Sequence, residues 1–244
     1  MAEKIYDEIN LQIAKANIKG KRILDIGCGS GMLGEVLRRK GNYVIGVNIS
    51  PSELEIARNR LDEVIYHDVT SITDVNLEQK VDVLLLSDIL EHTPDPVFVL
   101  KKFLKYLKSD GLIIISIPNV ACYNMRLRLL FGFFNYEDYG ILDKTHLRFF
   151  TKRSLLEFLK NCGLTVVKMK VSPYFVRPLF KILRSVKLKF KKGKSVSDFN
   201  QNVFNSPVFK IYAKYIFPME NILPQIYPSL FAYQFIVFCK FNKI

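Results

Sequence analysis

The sequence predicts an α/β protein, a parallel sheet covered by helices on both faces. Two observations carry this. Short apolar runs of strand character alternate with segments of helical period, the pattern of strand–helix–strand units. The strand runs are also apolar at consecutive positions, as strands buried on both faces are. Composition agrees: 244 residues, 49% hydrophobic and 24% charged, exclude a disordered, collagen-like or disulfide-dense chain. They suit one large domain, or an ordinary domain with an addition.

The elements follow in order. Lys21–Gly27 reads as a buried strand ending in glycine, and Met32–Lys40 as a helix. Tyr43–Asn48 is strand-like, and Ser50 with Pro51 then opens a helix as N-cap and first-turn proline. Glu63–Asp68 is strand-like and Val81–Asp88 strongly so. Pro96–Lys108 has helical period, with Val97, Leu100, Leu104 and Leu107 on one face. Leu112–Pro118 is the next buried strand. Thr151 caps a helix through Asn161 that Gly163 ends, and Leu164–Val171 is a strand. Residues 172–228 hold no clear strand and are rich in Lys, Phe, Tyr and Pro; Phe231–Phe241 is again almost continuously apolar. The expected organisation is a core over 1–171, a basic helical insertion or lid over 172–228, and a last strand within 229–244 that rejoins the core sheet.

The net charge is +13 and is unevenly placed. Residues 1–163 carry 22 basic and 21 acidic side chains, and residues 164–244 carry 14 basic and 2 acidic. Such asymmetry points to an anionic partner. Within Pro173–Lys192, Val176, Leu179, Phe180, Leu183, Val186 and Phe190 recur at helical spacing, with Arg177, Lys181, Arg184, Lys187 and Lys191 largely between them. That is a basic amphipathic helix; a weaker one spans Pro207–Phe217. Three readings are open: a lid packed on the core, a helix lying on an anionic membrane surface, or phosphate binding to RNA. No RNA-recognition motif accompanies the aromatics, which places nucleic acid behind the other two.

The four cysteines, Cys28, Cys122, Cys162 and Cys239, show no CxxC and no metal spacing, as in a reducing cytoplasm. Met1–Asn10 has no apolar core of a signal peptide. The 19 uncharged residues between Glu220 and Lys240 include Asn221, Pro224, Gln225, Pro228 and Gln234, so no transmembrane helix is expected. The expected location is cytoplasmic, with the basic insertion offering a peripheral position on the inner face of a membrane.

Chemistry concentrates in two places. The first strand runs into Asp25-Ile-Gly27-Cys-Gly29-Ser-Gly31, a loop against which a ligand can lie. Gly29 to Gly34 also satisfies GxGxxG, the dinucleotide pattern. Asp25, two residues before the first glycine, would repel a pyrophosphate and suits a cationic ligand; a turn holding no ligand is the alternative. Further on, Asp88, Glu91 and His92 stand at i, i+3 and i+4, on one face if helical. Carboxylates and imidazole can hold Mg²⁺, Mn²⁺ or Zn²⁺; otherwise Glu91 caps or pairs and His92 bonds the backbone. His67 reads as structural. His146, between Asp143 and Arg148, sits where a general base could act, or where an internal hydrogen bond fixes a loop.

ILDIGCGSG at 23–31 resembles the first motif of class I S-adenosylmethionine (SAM) dependent methyltransferases. The resemblance continues in order through YVIGVNI (43–49), Tyr66-His67-Asp68, VDVLLLSDILEH (81–92) and LKSDGLIIISIPN (107–119). Residues 119–151 resemble a subgroup associated with surface-saccharide biosynthesis. This implies a Rossmann-like, seven-stranded, mostly parallel sheet whose last strand is antiparallel. It implies SAM binding by Asp25, Gly27, Cys28, Gly29 and Gly31, by Asn48 and Ile49 at the ribose, by Asp68 and Val69 at the adenine, and by Ser87 and Asp88. Asn48 stands where the family usually carries an acid. The Asp88/Glu91/His92 triplet resembles the pattern of ubiquinone-pathway O-methyltransferases and small-RNA 2′-O-methyltransferases. In the latter a distant histidine completes a metal site, a part His146 would take. The implied reaction is methylation of a hydroxyl on a small molecule, sugar or lipid-linked glycan, with Glu91, His92 and His146 as catalytic candidates and a divalent cation as a second cofactor. An RNA 2′-O-methyltransferase and a non-catalytic SAM-fold binding protein are the alternatives.

Overall fold

A strand that is apolar at every position has two faces to bury, and the sheet accounts for both. The computed structural model of the chain describes residues 10–173 and 222–242. Strands β1 (Arg22–Ile26), β2 (Tyr43–Asn48), β3 (Glu63–Tyr66), β4 (Val81–Ser87), β5 (Leu107–Pro118), β6 (Leu164–Pro173) and β7 (Ala232–Phe241) form one sheet in the order β3-β2-β1-β4-β5-β7-β6. The first five pair in parallel, and β7 lies antiparallel between β5 and β6, with Ile115 opposite Val237.

Alternate residues feed two cores. Leu24, Ile26, Leu84, Leu86, Ile113, Ile115, Phe235 and Val237 face one; Ile23, Val83, Leu85, Ile114, Ile236 and Phe238 face the other. The helices are α1 (Leu11–Ala14), α2 (Met32–Arg38), α3 (Pro51–Ala57), α4 (Pro96–Leu104), α5 (Tyr123–Leu130), α6 (Lys152–Asn161), α7 (Ile222–Ile226) and α8 (Pro228–Phe231). Val99, Leu100 and Phe103 of α4 and Leu155 and Leu159 of α6 cover the first face; Leu33 and Leu37 of α2 and Ala57 of α3 cover the second. Leu85, fully buried in a central strand, gives a stability test. Leu85→Ala is expected to cost about 2–5 kcal/mol, read as a lowered urea midpoint.

The helix starts at Ser50, Asp95 and Thr151 carry side-chain caps, and those at Ser50 and Thr151 are the ones the sequence suggests. Ser50 Oγ accepts from Glu53 N (3.4 Å) ahead of Pro51, and Asp95 Oδ1 accepts from Phe98 N (2.9 Å) ahead of Pro96. Thr151 and Ser154 cap reciprocally. Several boundaries differ from expectation. The helix over Pro96–Lys108 ends at Leu104, and β5 begins at Leu107, because Leu107 pairs with Val81 and the register slips before Val83 meets Leu112. The helix consequently buries Pro96, Val99, Leu100 and Phe103; of the expected face only Leu100 is fully buried within it, Val97 and Leu104 being half-buried. The third strand stops at Tyr66, where Asp68 organises a turn, and β4 stops at Ser87, because Asp88 turns the backbone at φ +52°.

Among the described residues no helix is long and apolar enough to cross a membrane. Most of the expected insertion, including the basic stretch 174–192 and the weaker helix over 207–217, lies outside the described residues.

Candidate functional site

In an open parallel sheet the ligand crevice lies at the carboxyl ends of the strands, and the site residues gather there. β1 ends at Ile26 and the chain turns at once through Gly27 at φ +75°. A Cβ on Gly27 would lie 2.7 Å from Ile89 Cδ1, so conformation and space both require glycine. Gly27 N and Cys28 N donate to Val47 O (2.8 and 3.0 Å), which pins the loop to β2. Gly29 and Gly31 are also left-handed. Asp25, 2% exposed, sits beneath the loop, and burial pushes its carboxyl up to about 7. Among the described residues no cationic side chain offsets that burial to favour its charged form.

At the tip of β2, Asn48 is buried. Its Nδ2 donates to Glu53 Oε2 (2.6 Å) and its Oδ1 accepts from Ile49 N (2.9 Å). The Ile49 side chain is exposed beside it, and Val69 is buried. Asp68 Oδ1 accepts from Thr70 N (2.8 Å) and Thr70 Oγ1 (2.7 Å), bonds that hold its carboxyl below the usual range. His67 accepts from Lys102 Nζ at Nε2 (2.9 Å), the structural part expected of it. Ser87 Oγ pairs with Ser116 Oγ (3.0 Å).

The second cluster forms where residues 143–148 fold against the chain after β4. Leu147 N and Arg148 N donate to Glu91 O (2.8 and 3.0 Å), bringing His146 to His92 across 54 residues of chain. The rings meet edge to face with centroids 4.6 Å apart. Ligand atoms of Glu91, His92 and His146 all lie within 4.8 Å of one another. Asp88 is not in this group. The expected helical face is only the 3₁₀ turn Leu90–His92, and Asp88 lies ahead of it with its carboxylate bonded by Gln234 Nε2 of β7. The structure thus brings together three of the four candidate ligands.

The electrostatics of this trio are unusual. Glu91 is 1% exposed, and among the described residues neither carboxylate oxygen has a hydrogen-bond partner. Burial, with the Asp88 charge adding to it, raises its carboxyl well above the usual range. Burial also lowers both histidines, so the neutral imidazole is favoured. The tautomers follow from the contacts. His146 Nδ1 lies 3.0 Å from Ile141 O, an acceptor only, so Nδ1 carries the proton. His92 Nδ1 meets Thr145 Oγ1 at 3.0 Å, and that hydroxyl already donates to Asp143 Oδ1 (2.6 Å), so His92 Nδ1 donates. Each ring then keeps its lone pair on Nε2, the arrangement in which outer partners orient metal-binding or basic histidines. With metal–donor distances near 2.1 Å, donors stand about 3–4 Å apart, so a slight inward rotation would close this trio on an ion. One carboxylate and two imidazoles suit Zn²⁺ or Mn²⁺ in chemistry.

Three residues that matter here escaped the sequence reading. Glu53 and Thr145 lie close in sequence to residues singled out and could have been found as second partners. Gln234 is 146 positions from Asp88, and only the antiparallel return of β7 brings it there.

Comparison with known proteins places the chain in a family. Residues 1–169 match a family model described as a methyltransferase domain. The ubiquinone biosynthesis O-methyltransferase of Haemophilus ducreyi is 36% identical over 115 residues, covering 43% of this chain and 49% of that protein. The chain spans about half the length of the curated relatives it matches. A SAM-dependent methyltransferase from Thermotoga maritima superimposes with TM-score 0.51 at 26% identity, covering 68% of this chain and 72% of that one. A methyltransferase solved with a Haloferax volcanii activator gives TM-score 0.60 at 14% identity over 100% of this chain and 92% of that one, a likeness of fold.

Proposed function

Since the chain belongs to the methyltransferase-domain family of SAM-dependent enzymes, we propose that it transfers the SAM methyl group to a hydroxyl oxygen of a small-molecule acceptor. The observation that carries the choice of oxygen is the buried, unpaired carboxylate of Glu91 facing the two imidazoles of His92 and His146. A hydroxyl is a poor nucleophile until its proton is drawn off, and the neutral imidazoles of this group, or a cation the group would hold, are equipped to do it.

The glycine loop and Asp25 form the cradle for the amino-acid part of SAM. Asp25 supplies the negative charge that the ligand ammonium needs, and the left-handed glycines let the backbone approach it. Methyl transfer is an in-line displacement: the acceptor oxygen forms a bond to the methyl carbon as the carbon–sulfur bond breaks. The protein aligns the two and receives the proton. Glu91, His92 and His146 would hold a divalent cation, which supplies Lewis acidity that lowers the acceptor hydroxyl's pKa. The Asp143–Thr145–His92 chain and the Ile141 carbonyl hold both Nε2 atoms ready. A second reading rests on the same tautomers: His146 Nε2 itself takes the proton, with no metal.

The surroundings favour an acceptor with an apolar portion, such as a lipid-linked glycan. From His146 an aromatic series leads outward through Phe149 (6.3 Å) to Phe134 (5.8 Å from Phe149). Beyond it Leu130, Phe131, Phe133, Tyr136 and Tyr139, all within ten residues of sequence, are exposed, and clustered exposed apolar side chains of this kind mark an interaction surface. Phe131→Asp with Phe133→Asp is expected to raise KM for an amphiphilic acceptor about tenfold while leaving SAM affinity unchanged. The membrane and nucleic-acid readings attached to residues 174–192 rest on sequence alone.

The deciding experiment supplies SAM labelled in its methyl group to a fractionated lysate and counts lipid, glycan and RNA pools separately. Label in the lipid or glycan pool is the expected result. Label in RNA alone replaces this reading with the 2′-O-methyltransferase one, and absence of both label and SAM binding removes the enzymatic reading altogether.

A further inference from the structure

A vicinal diol presents two donors, and the group that best receives both is a carboxylate. At the tip of β2 the side chain is the amide of Asn48, and its polar atoms are already engaged. Oδ1 accepts from Ile49 N (2.9 Å) and Nδ2 donates to Glu53 Oε2 (2.6 Å). Asn48 therefore offers at most one uncharged acceptor lone pair of its own and has a carboxylate, that of Glu53, fastened to it.

Glu53 is the third residue of α3, from where a glutamate ordinarily reaches back to the N–H of its cap. Here its carboxylate is drawn to the strand tip, and it faces the glycine loop. Among the described residues, the one atom within 4 Å of a Cβ built on Gly29 is Glu53 Oε2, at 3.9 Å. The charges of Asp25 and Glu53 both bear on the Cys28 thiol between them. The loop is thus flanked by two carboxylates, one buried under it and one exposed at its rim.

We propose that Glu53 is the residue that binds the two ribose hydroxyls of SAM, and that Asn48 is its positioning residue. The inference rests on the SAM-binding reading above. It relocates the acid that strand position 48 lacks to the first turn of the next helix, five residues on.

The test is calorimetry with S-adenosylhomocysteine, which binds without turnover, and with its 2′,3′-dideoxy analogue. Glu53→Gln is expected to weaken S-adenosylhomocysteine binding about 10–100-fold, the scale of charge-assisted hydrogen bonds. On the dideoxy analogue the same substitution is expected to change nothing, because the partner hydroxyls are gone. Asn48→Asp combined with Glu53→Gln, which returns the carboxylate to the strand tip, is expected to recover most of the loss. Unchanged binding in Glu53→Gln, or a loss equally large on the dideoxy analogue, overturns the assignment while leaving SAM binding intact. A wild-type protein that binds neither ligand overturns the SAM-binding reading and this inference with it. Circular dichroism of each variant separates misfolding from lost binding.

Discussion

Asp25→Asn is expected to weaken SAM binding at least 100-fold and, at pH 8, to make the ligand-free protein more stable. Both effects have one cause. The folded protein holds this carboxyl at about 7 against an ordinary 3.8. Above pH 7 the empty fold therefore carries an ionised group in a site that disfavours it, at a cost of about 4 kcal/mol. The sign follows from the raised value. The unfolded chain gives up its proton near pH 4 and the folded one near pH 7, so stability present at pH 4 is lost between those values and is flat above. An amide keeps the shape and does not ionise, so the variant should lack this slope and unfold several degrees higher at pH 8.

Binding has the opposite sign. The ligand ammonium favours the ionised form, so below pH 7 each binding event releases a proton. Wild-type affinity is expected to rise about tenfold per pH unit from 5.5 towards 7 and then level, whereas Asp25→Asn shows no such rise. Calorimetry in two buffers of different ionisation heat measures the released proton directly. A variant that binds SAM as tightly as the wild type would remove Asp25 from the site.

That Asp25 was legible at all follows from its place on the chain. A buried strand, a sharp glycine turn and an acid just inside it form a local pattern, and local patterns survive in one dimension. The sheet was legible for the same reason, since consecutive apolar residues such as Leu84, Leu85 and Leu86 have to be shared between two cores. Leu107 shows where periodicity misleads. It continues the apolar stripe of a helix, yet it pairs with Val81, and helical and strand burial of one leucine look alike in sequence. At the site, His92 and His146 were both singled out, but not the tautomers, which depend on Thr145 and Ile141. Asp88 was grouped with Glu91 on an assumed α-helix, and its left-handed backbone removes it. The Gln234 contact comes from strand order, which no local pattern encodes.

Glu91→Gln is expected to lower turnover about 10²–10⁴-fold with SAM affinity unchanged, because the proposed mechanism assigns Glu91 to the acceptor side of the site. It is also expected to stabilise the empty protein at neutral pH. The folded carboxyl stays protonated where the unfolded one ionises, so its stability contribution, complete below the ordinary value of 4.5, falls as pH rises. Glutamine fills the same volume and has no such slope. A cation reverses the balance: it favours the carboxylate, so Mn²⁺ or Zn²⁺ should raise the unfolding temperature of the wild type and release a proton on binding, and should do neither in Glu91→Gln. A chelator should bring wild-type turnover down to the variant's level, and added metal should restore it. His146→Ala distinguishes the two chemical roles. Lost metal stabilisation together with lost turnover assigns His146 as a ligand. Turnover that is lost in His146→Ala but untouched by chelation assigns it as the general base. Full turnover in His146→Ala would remove it from both, and with it the reason two neutral imidazoles are held against a buried carboxyl beside the methyl-transfer site.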